Sequence, residues 1–198
     1  MQAAFRAKMI VFAFMRQTIA KTYGLEIENG LIQFYRLDFL SCLSQWIYVV
    51  EGYCRQLFAV PSKNNVKFIS WTIPTTGDAI RDGFITSLST SLGTYLDNVF
   101  FKSSANLQSE YLRRHVILHG NQQNKDFFSQ RNCLLLMFIL DALVVIEMAS
   151  NKQFPQVFQE RPGEPKRITQ RSDYYLKQLQ YAFSEDNLQR LELQKQHF

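Results

Sequence analysis

Apolar residues recur every three or four positions over much of this 198-residue chain, which is the spacing that lines one face of an α-helix. The repeat is clearest over residues 31–60, and Pro61 ends it. Its members are Phe34, Leu37, Leu40, Leu43, Ile47, Val50, Cys54 and Leu57. The pattern predicts one long helix there, another helix over residues 3–22, and a turn at Glu28-Asn29-Gly30 between the two.

The stretch that follows Pro61 breaks the helical pattern. We predict a structured loop, in which Val66, Phe68 and residues 70–73 could be extended. The loop leads through a Thr-Thr-Gly sequence into Asp78, a residue type that favours the N-cap of a helix. The next helix is therefore predicted over residues 78–101.

The second half of the chain contains two further helical patterns. The first covers residues 106–118 and stops at Gly120-Asn121, as helix C-termini commonly do. The second covers residues 127–150 and includes the most apolar stretch of the chain, residues 134–149. That stretch is shorter than the roughly 20 residues that span a bilayer and it carries two acids, so we interpret it as a core helix.

Those two acids, Asp141 and Glu147, are costly to bury without compensation. We therefore expect a cationic partner for them. For Asp141 we favour a solvent-exposed position or a contact between helices, and pairing with Arg114 or Arg131 is the alternative.

Composition supports a helical fold, because 8 Gly and 5 Pro are few for a chain with many turns. After Asn151 a stretch rich in proline, glycine and charge indicates a linker, and residues 174–196 resume a polar helical pattern. The predicted fold is all-α. It consists of a bundle of about five helices over residues 1–150 and a linker with a C-terminal helical extension over residues 151–198.

Charge and cysteine usage bear on the kind of partner and on the cellular compartment. The net charge of +5 makes a polyanion a suitable partner. Cys42, Cys54 and Cys133 show no CxxC spacing and lie among apolar residues, which predicts buried, reduced thiols in a cytoplasmic protein. The apolar run over residues 9–15 is only seven residues long and is closed by Arg16, which indicates an amphipathic helix rather than a signal peptide.

The sequence YLRRHVILHG, residues 111–120, contains two of the three histidines, His115 and His119. Three interpretations compete. A zinc site of the HExxH type lacks its glutamate, because Val116 occupies that position. Histidine and arginine together suffice for metal-free phosphodiester chemistry on RNA. A plain helix end also favours arginine and histidine.

The segment Arg114-His115-Val116-Ile117-Leu118-His119, followed by a polar loop and a Leu-rich helix, resembles the R-polar-x-x-x-H motif of the HEPN superfamily (higher eukaryotes and prokaryotes nucleotide-binding). Arg113 stands where an asparagine is usual in the similar NRHxxLHG-type bacterial proteins. The resemblance covers residues 78–149. It implies an all-helical, metal-independent endoribonuclease, in many members a toxin or antiviral effector with a neutralising partner, whereas other members are inactive binding modules.

By that resemblance Arg114 would contact the scissile phosphate, His119 would act as general acid and base, and His115 would orient the site. We add Arg113 and Asn121 as candidate substrate-binding residues. If the segment is helical, Arg114 and His119 leave the helix about 140° apart, since each residue turns it by about 100°. A two-fold dimer would bring the two residue types from different chains into one cleft.

We therefore expect a homodimeric endoribonuclease that binds RNA and uses no metal or cofactor. The alternative is a non-catalytic helical module that binds nucleic acid, nucleotide or a protein through the same basic cleft. Outside the motif, residues of two kinds could also contact RNA, by stacking or by charge, although packing or solvation is the simpler explanation for each. They are Tyr111, Tyr174, Tyr175, Tyr181, Lys166, Arg167 and Arg171.

Overall fold

The computed structural model describes residues 3–101, 128–153 and 161–196, and every regular element in these ranges is a helix. The prediction of an all-α fold is confirmed. The helices are α1 (Ala3–Phe12), α2 (Thr18–Thr22), α3 (Gly24–Tyr35), α4 (Phe39–Leu57), α5 (Ala79–Tyr95), α6 (Gln130–Ser150), α7 (Glu164–Ala182) and α8 (Glu185–Gln196). The predicted helix over residues 106–118 lies outside the described residues.

Helix α6 lies at the centre of the fold. It packs against α4 on one side and α5 on another, while α4 also packs against α3. Helix α7 covers α1 and α3, and α8 contacts α7. The core is rich in large side chains that solvent barely reaches, among them Trp46, Tyr53, Phe58, Phe100 and Tyr175.

The predicted helices in the middle of the chain are confirmed with small shifts of their ends. Asp78 caps α5, because its carboxylate accepts the N–H groups of Ile80 and Arg81 at 3.0 Å each. A π-helical turn, Leu96–Phe100, extends α5 to the predicted end. Ser129 caps α6. All three cysteines are buried and free, as predicted.

The single helix predicted over residues 3–22 is wrong, because the structure divides it. Helix α1 ends at Phe12, a 3₁₀ turn covers Phe14–Arg16, and Gln17 adopts an extended backbone before α2 begins. Residues 3–22 contain no proline or glycine, so nothing local marks the break. The break exists because a distant carboxylate, that of Glu147, accepts the first N–H groups of α2.

The long helix predicted over residues 31–60, and the turn predicted before it, are also wrong. Helix α3 runs through Gly30, where a Cβ atom would lie 2.1 Å from Trp46 Nε1, so this glycine serves close helix packing rather than a turn. The chain breaks at Leu37 instead, which adopts a left-handed backbone with φ of 60°. Asp38 then caps α4 by accepting the N–H of Ser41.

The loop between α4 and α5 is structured, as predicted. Trp71 stacks on Phe58 with ring centroids 3.8 Å apart, and Val66 is buried. The backbone N–H of Phe68 donates to the carboxylate of Asp97 at 3.0 Å. Phe68 begins a 3₁₀ turn, Phe68–Ser70, rather than an extended segment.

Helix α7 begins ten residues earlier than the helix predicted over residues 174–196. Gly163 adopts a left-handed backbone with φ of 82°, and Pro165 stands in the first turn of the helix, where its missing N–H does no harm. The proline and glycine that suggested a linker therefore mark the start of a helix.

Candidate functional site

The candidate site residues Arg113, Arg114, His115, His119 and Asn121 all lie in residues 102–127, outside the described residues. Their assignment stays a prediction. The structure does describe the two helices that this segment connects, α5 before it and α6 after it.

Helices α5 and α6 pack antiparallel, because the start of α5 meets Ala149 near the end of α6, and Tyr95 near the end of α5 meets Arg131 at the start of α6. The described residues that flank the motif segment, Phe101 and Phe128, therefore belong to the same end of the helix pair. Burial raises the pKa of Tyr95, near the end of α5, and the guanidinium of Arg131, in the first turn of α6, opposes that rise. The two side chains are therefore near each other. Phe100 and Cys133 are fully buried at these two helix ends. Both ends of the motif segment are therefore held against the core.

Asp141, in the middle of α6, is bound by a residue other than Arg114 or Arg131. Arg6 of α1 donates two hydrogen bonds to its carboxylate, from Nη1 at 2.7 Å and Nη2 at 2.8 Å. Asp141 therefore makes a contact between helices, one of the interpretations considered, and its partner is Arg6 rather than Arg131. Arg114 lies outside the described residues. Burial raises the pKa of Asp141, and the hydrogen bonds from Arg6 oppose that rise.

A sequence signal for Arg6 was present. Ala3, Ala7 and Ile10 form the buried face of α1, and Arg6 lies on that same face at helical spacing. A guanidinium on a buried face needs a carboxylate or a set of carbonyl groups as partner.

The second acid of α6, Glu147, is buried and accepts three hydrogen bonds. The backbone N–H groups of Ile19 and Ala20 donate at 2.8 and 3.3 Å, and the Tyr53 hydroxyl donates to Oε2. Within the described part of the chain no cation pairs with Glu147, so the cation expected there is replaced by a helix N-terminus. Burial and the adjacent carboxylate raise the pKa of the Tyr53 phenol well above its ordinary value.

Neither acid of α6 has the properties of an acid or base catalyst. The oxygens of each carboxylate already accept hydrogen bonds from protein donors, and Glu147 is only 3% exposed. A general base must reach a substrate proton within hydrogen-bonding distance. Burial prevents this for Glu147, and the two hydrogen bonds from Arg6 occupy the carboxylate of Asp141. The two acids hold the fold.

Two further residues considered for RNA contacts are committed to the fold as well. Tyr175 is fully buried, stacks on Tyr35 at 5.5 Å and donates to Glu28 at 3.1 Å. Arg171 donates to the same carboxylate at 2.9 Å. Their i, i+4 spacing on α7 places both on one side of the helix, facing one acid.

A groove with a volume of about 350 Å³ is lined by Asp78, Ile80, Arg81, Phe84 and Ala149. It lies at the opposite end of the α5–α6 pair from Phe101 and Phe128, the described residues that flank the motif segment. Ala149 is 19 residues beyond the start of α6, or about 28 Å along the helix axis. The groove also offers little chemistry, because the carboxylate of Asp78 is occupied as a helix cap.

Among the described residues, no group of three or more His, Cys, Asp or Glu side chains is placed to hold a metal ion. His115 and His119 are outside that part of the chain. Within it, α6 is the one helix long and apolar enough to span a membrane, with a mean hydropathy of 2.3. Because 61% of its most apolar window is buried inside the protein, α6 is a core helix.

Comparison of the chain with protein-family models, with curated proteins and with solved structures finds no match.

Proposed function

We propose that this protein is a metal-independent endoribonuclease, and that Arg114 and His119 from two copies of the chain form its site. One observation carries the proposal. The sequence Arg114-His115-Val116-Ile117-Leu118-His119 lies in the connection between two antiparallel helices whose ends are packed against the core. A catalytic segment supported at both ends by a rigid frame is a common arrangement in enzymes.

The charge of the segment supports an RNA substrate. Residues 111–125 contain three cations, Arg113, Arg114 and Lys125, and no acid. A segment of this composition attracts phosphate groups, and it also stabilises the extra negative charge that a phosphorane develops during cleavage. Arg113 and Asn121 would then bind the RNA backbone beside the scissile bond.

The chemistry needs only groups that the motif provides. An imidazole, which we assign to His119, takes the proton of the ribose 2′-OH as that oxygen attacks the adjacent phosphorus. The 2′-O–P bond forms, the P–O5′ bond breaks, and an imidazolium returns a proton to the leaving 5′ oxygen. The products are a 2′,3′-cyclic phosphate and a 5′-OH. Arg114 stabilises the phosphorane, and His115 orients the site.

The dimer follows from helix geometry. If the motif segment is helical, Arg114 and His119 point about 140° apart, and a single straight helix would not bring them to one phosphate. In a two-fold dimer each site takes Arg114 from one chain and His119 from the other, and the two sites are equivalent.

The decisive experiment compares cleavage of a structured RNA in EDTA by the wild type and by Arg114→Ala and His119→Ala. We expect loss of about 10²-fold or more in each variant, because each removes a group that acts in the transition state. His197→Ala and Arg81→Ala are matched controls outside the motif, and they should cleave like the wild type. Binding without any cleavage by the wild type would instead identify a non-catalytic RNA-binding module.

Mixing the two inactive variants tests the composite site. When Arg114→Ala and His119→Ala chains are unfolded together and refolded, half of the dimers are mixed, and one of the two sites in each mixed dimer is intact. Activity should return to about a quarter of the wild-type value. A site built within one chain predicts no recovery.

A further inference from the structure

Helix α7 has two faces with different roles. Its inner face packs on α1 and α3 and carries Glu164, Tyr175, Gln178 and Ala182, all buried. Its outer face is exposed. Since an α-helix turns about 100° per residue, the position of each outer side chain around the axis follows from its number.

Six consecutive positions around that outer face share a chemical character. Within about 100° of arc they comprise three cations, two tyrosines and one glutamine. We call this set the α7 stripe, and its members are Lys166, Arg167, Gln170, Tyr174, Lys177 and Tyr181. All six are exposed, and the residues Tyr174 and Tyr181 are 43% and 44% accessible.

The cations of the stripe differ from Arg171, on the inner side of α7, in having no partner among the described residues. Arg171 is held by Glu28 at 2.9 Å. Within the described residues, Lys166, Arg167 and Lys177 have neither an ion-pair partner nor a side-chain hydrogen bond. Two acids of α7 are near the stripe: Glu164, which is already paired with Arg16, and Asp173, four residues before Lys177. Over the described part of the chain, three cations face the single uncommitted carboxylate of Asp173, so the local charge remains positive.

Aromatic rings and positive charges alternate along the axis of α7. Arg167, Tyr174 and Tyr181 follow one another at seven-residue intervals, or about 10.5 Å along the axis, and Lys177 lies between the two rings. The guanidinium of Arg36, from the end of α3, lies 5.6 Å from the centre of the Tyr181 ring and adds a fourth cation at this end.

We propose that the α7 stripe binds single-stranded RNA, with unpaired bases stacked on Tyr174 and Tyr181 and backbone phosphates beside Arg167 and Lys177. Stacking platforms that alternate with cations are the chemistry by which proteins hold single strands. The density of charge, with two lysines among six positions, fits that partner better than a protein interface, whose centre is depleted of charged residues and of lysine in particular. The choice of RNA rests on the proposed function.

The test measures binding of a fluorescent single-stranded RNA of about 12 nucleotides, a length within the range that such surfaces cover. The full chain carries His119→Ala so that the RNA stays intact. Tyr174→Leu/Tyr181→Leu removes the rings from exposed positions, and Arg167→Gln/Lys177→Gln removes two charges. Lys63→Gln/Lys67→Gln removes two exposed charges from the loop between α4 and α5 and is the matched control.

Each pair of stripe substitutions should weaken binding at least about tenfold, because a stacked base and a paired phosphate are both lost. The Arg167/Lys177 variant should also reduce the slope of log affinity against log salt by about 1.4, since each lost contact with a single strand contributes about 0.7. The Lys63/Lys67 control should bind like its parent.

Three results would overturn the stripe. They are a change of less than about twofold in both stripe variants, equal weakening in the Lys63/Lys67 control, or competition by polyglutamate as strong as that by RNA. The last result would indicate an acidic protein partner.

The experiments distinguish failure of the RNA-binding proposal for the α7 stripe from failure of the proposed nuclease function. If the wild type never cleaves RNA but the stripe variants lose binding, the proposed function fails and the stripe stands. If the wild type cleaves and the stripe variants bind and cleave equally well, the stripe fails and the nuclease stands.

Discussion

Helix α6 carries two acids that the protein compensates in opposite ways. The guanidinium of Arg6, a charged side chain, donates two hydrogen bonds to the carboxylate of Asp141. Glu147, six residues further along, receives backbone N–H groups from the start of α2 together with the hydroxyl of Tyr53. One acid is balanced by a full charge and the other by a helix dipole and neutral donors.

The difference determines what each acid controls. A pair of side chains can be replaced together by apolar residues of similar size, and the fold then loses little. Backbone N–H groups cannot be substituted away. Glu147 therefore defines where α2 begins, whereas Asp141 and Arg6 only join two helices that form without them.

The largest effect should come from Glu147→Ala. It leaves two helix N–H groups and the Tyr53 hydroxyl without their acceptor in a buried site, which we expect to cost about 4 kcal/mol of unfolding free energy. Chemical denaturation of this variant beside Glu147→Gln measures the loss. The amide keeps an acceptor oxygen and should cost about half as much. Adding Tyr53→Phe to Glu147→Ala should recover only a small part of the loss, because the backbone donors stay unpaired.

If that double variant returned to wild-type stability, the bonds from Glu147 to the N–H groups of α2 would contribute nothing. Glu147 would then act only through its contact with Tyr53.

Arg6→Met should cost about 3 kcal/mol, because it leaves the Asp141 carboxylate buried without its cation. Adding Asp141→Leu should restore most of that stability, and a double-mutant cycle measures the coupling. The single variant should also lose more stability at pH 7 than at pH 4. Without Arg6 the pKa of Asp141 rises further, so the folded state is favoured where the acid is protonated and penalised as pH increases. A loss that the second substitution does not relieve would contradict the comparison.

The smallest effect concerns Glu164, which pairs with Arg16 and accepts the N–H of Arg161 at the edge of the fold. Partial burial alone would raise the pKa of Glu164, but the hydrogen bonds from Arg16 and Arg161 outweigh burial and lower it. The resulting stability is therefore present above pH of about 4.3 and is lost as pH falls through the lowered pKa. The pH-dependent part should be on the order of 1 kcal/mol, since one pKa unit corresponds to about 1.4 kcal/mol.

Acid titration of thermal stability, with Glu164→Gln as the control, measures this effect. The control should show a shallower decline below pH 4, and an identical decline would exclude Glu164 as the titrating group.

The fold was predictable where local signals agreed with packing. Helix α5 has a capping aspartate at its start, and α6 is an uninterrupted apolar helix, so both were found with nearly correct ends. Prediction failed where a glycine or a break serves a distant partner. Gly30 admits Trp46, and Gln17 leaves the helix so that Glu147 can accept the N–H groups after it. Neither partner is visible in a local window.

For the candidate site, the sequence predicted a motif, and the structure describes the helices that support it. Arg114 and His119 remain predictions. The structure does separate two residues that the sequence could not tell apart. Tyr174 and Tyr175 are adjacent, and the sequence offered both as possible stacking residues. Only the packing of α7 on α3 decides that Tyr175 is buried and Tyr174 faces solvent.

The sequence by itself determined that this protein is helical, that its cysteines are buried and that an Arg–His motif follows α5. These properties depend on side-chain type and spacing over one or two helical turns. Tertiary structure alone decided where α2 begins, which cation pairs with Asp141, and which side of α7 is exposed. Those outcomes depend on groups more than 100 residues apart in the chain, whose energies are realised only when the helices pack together.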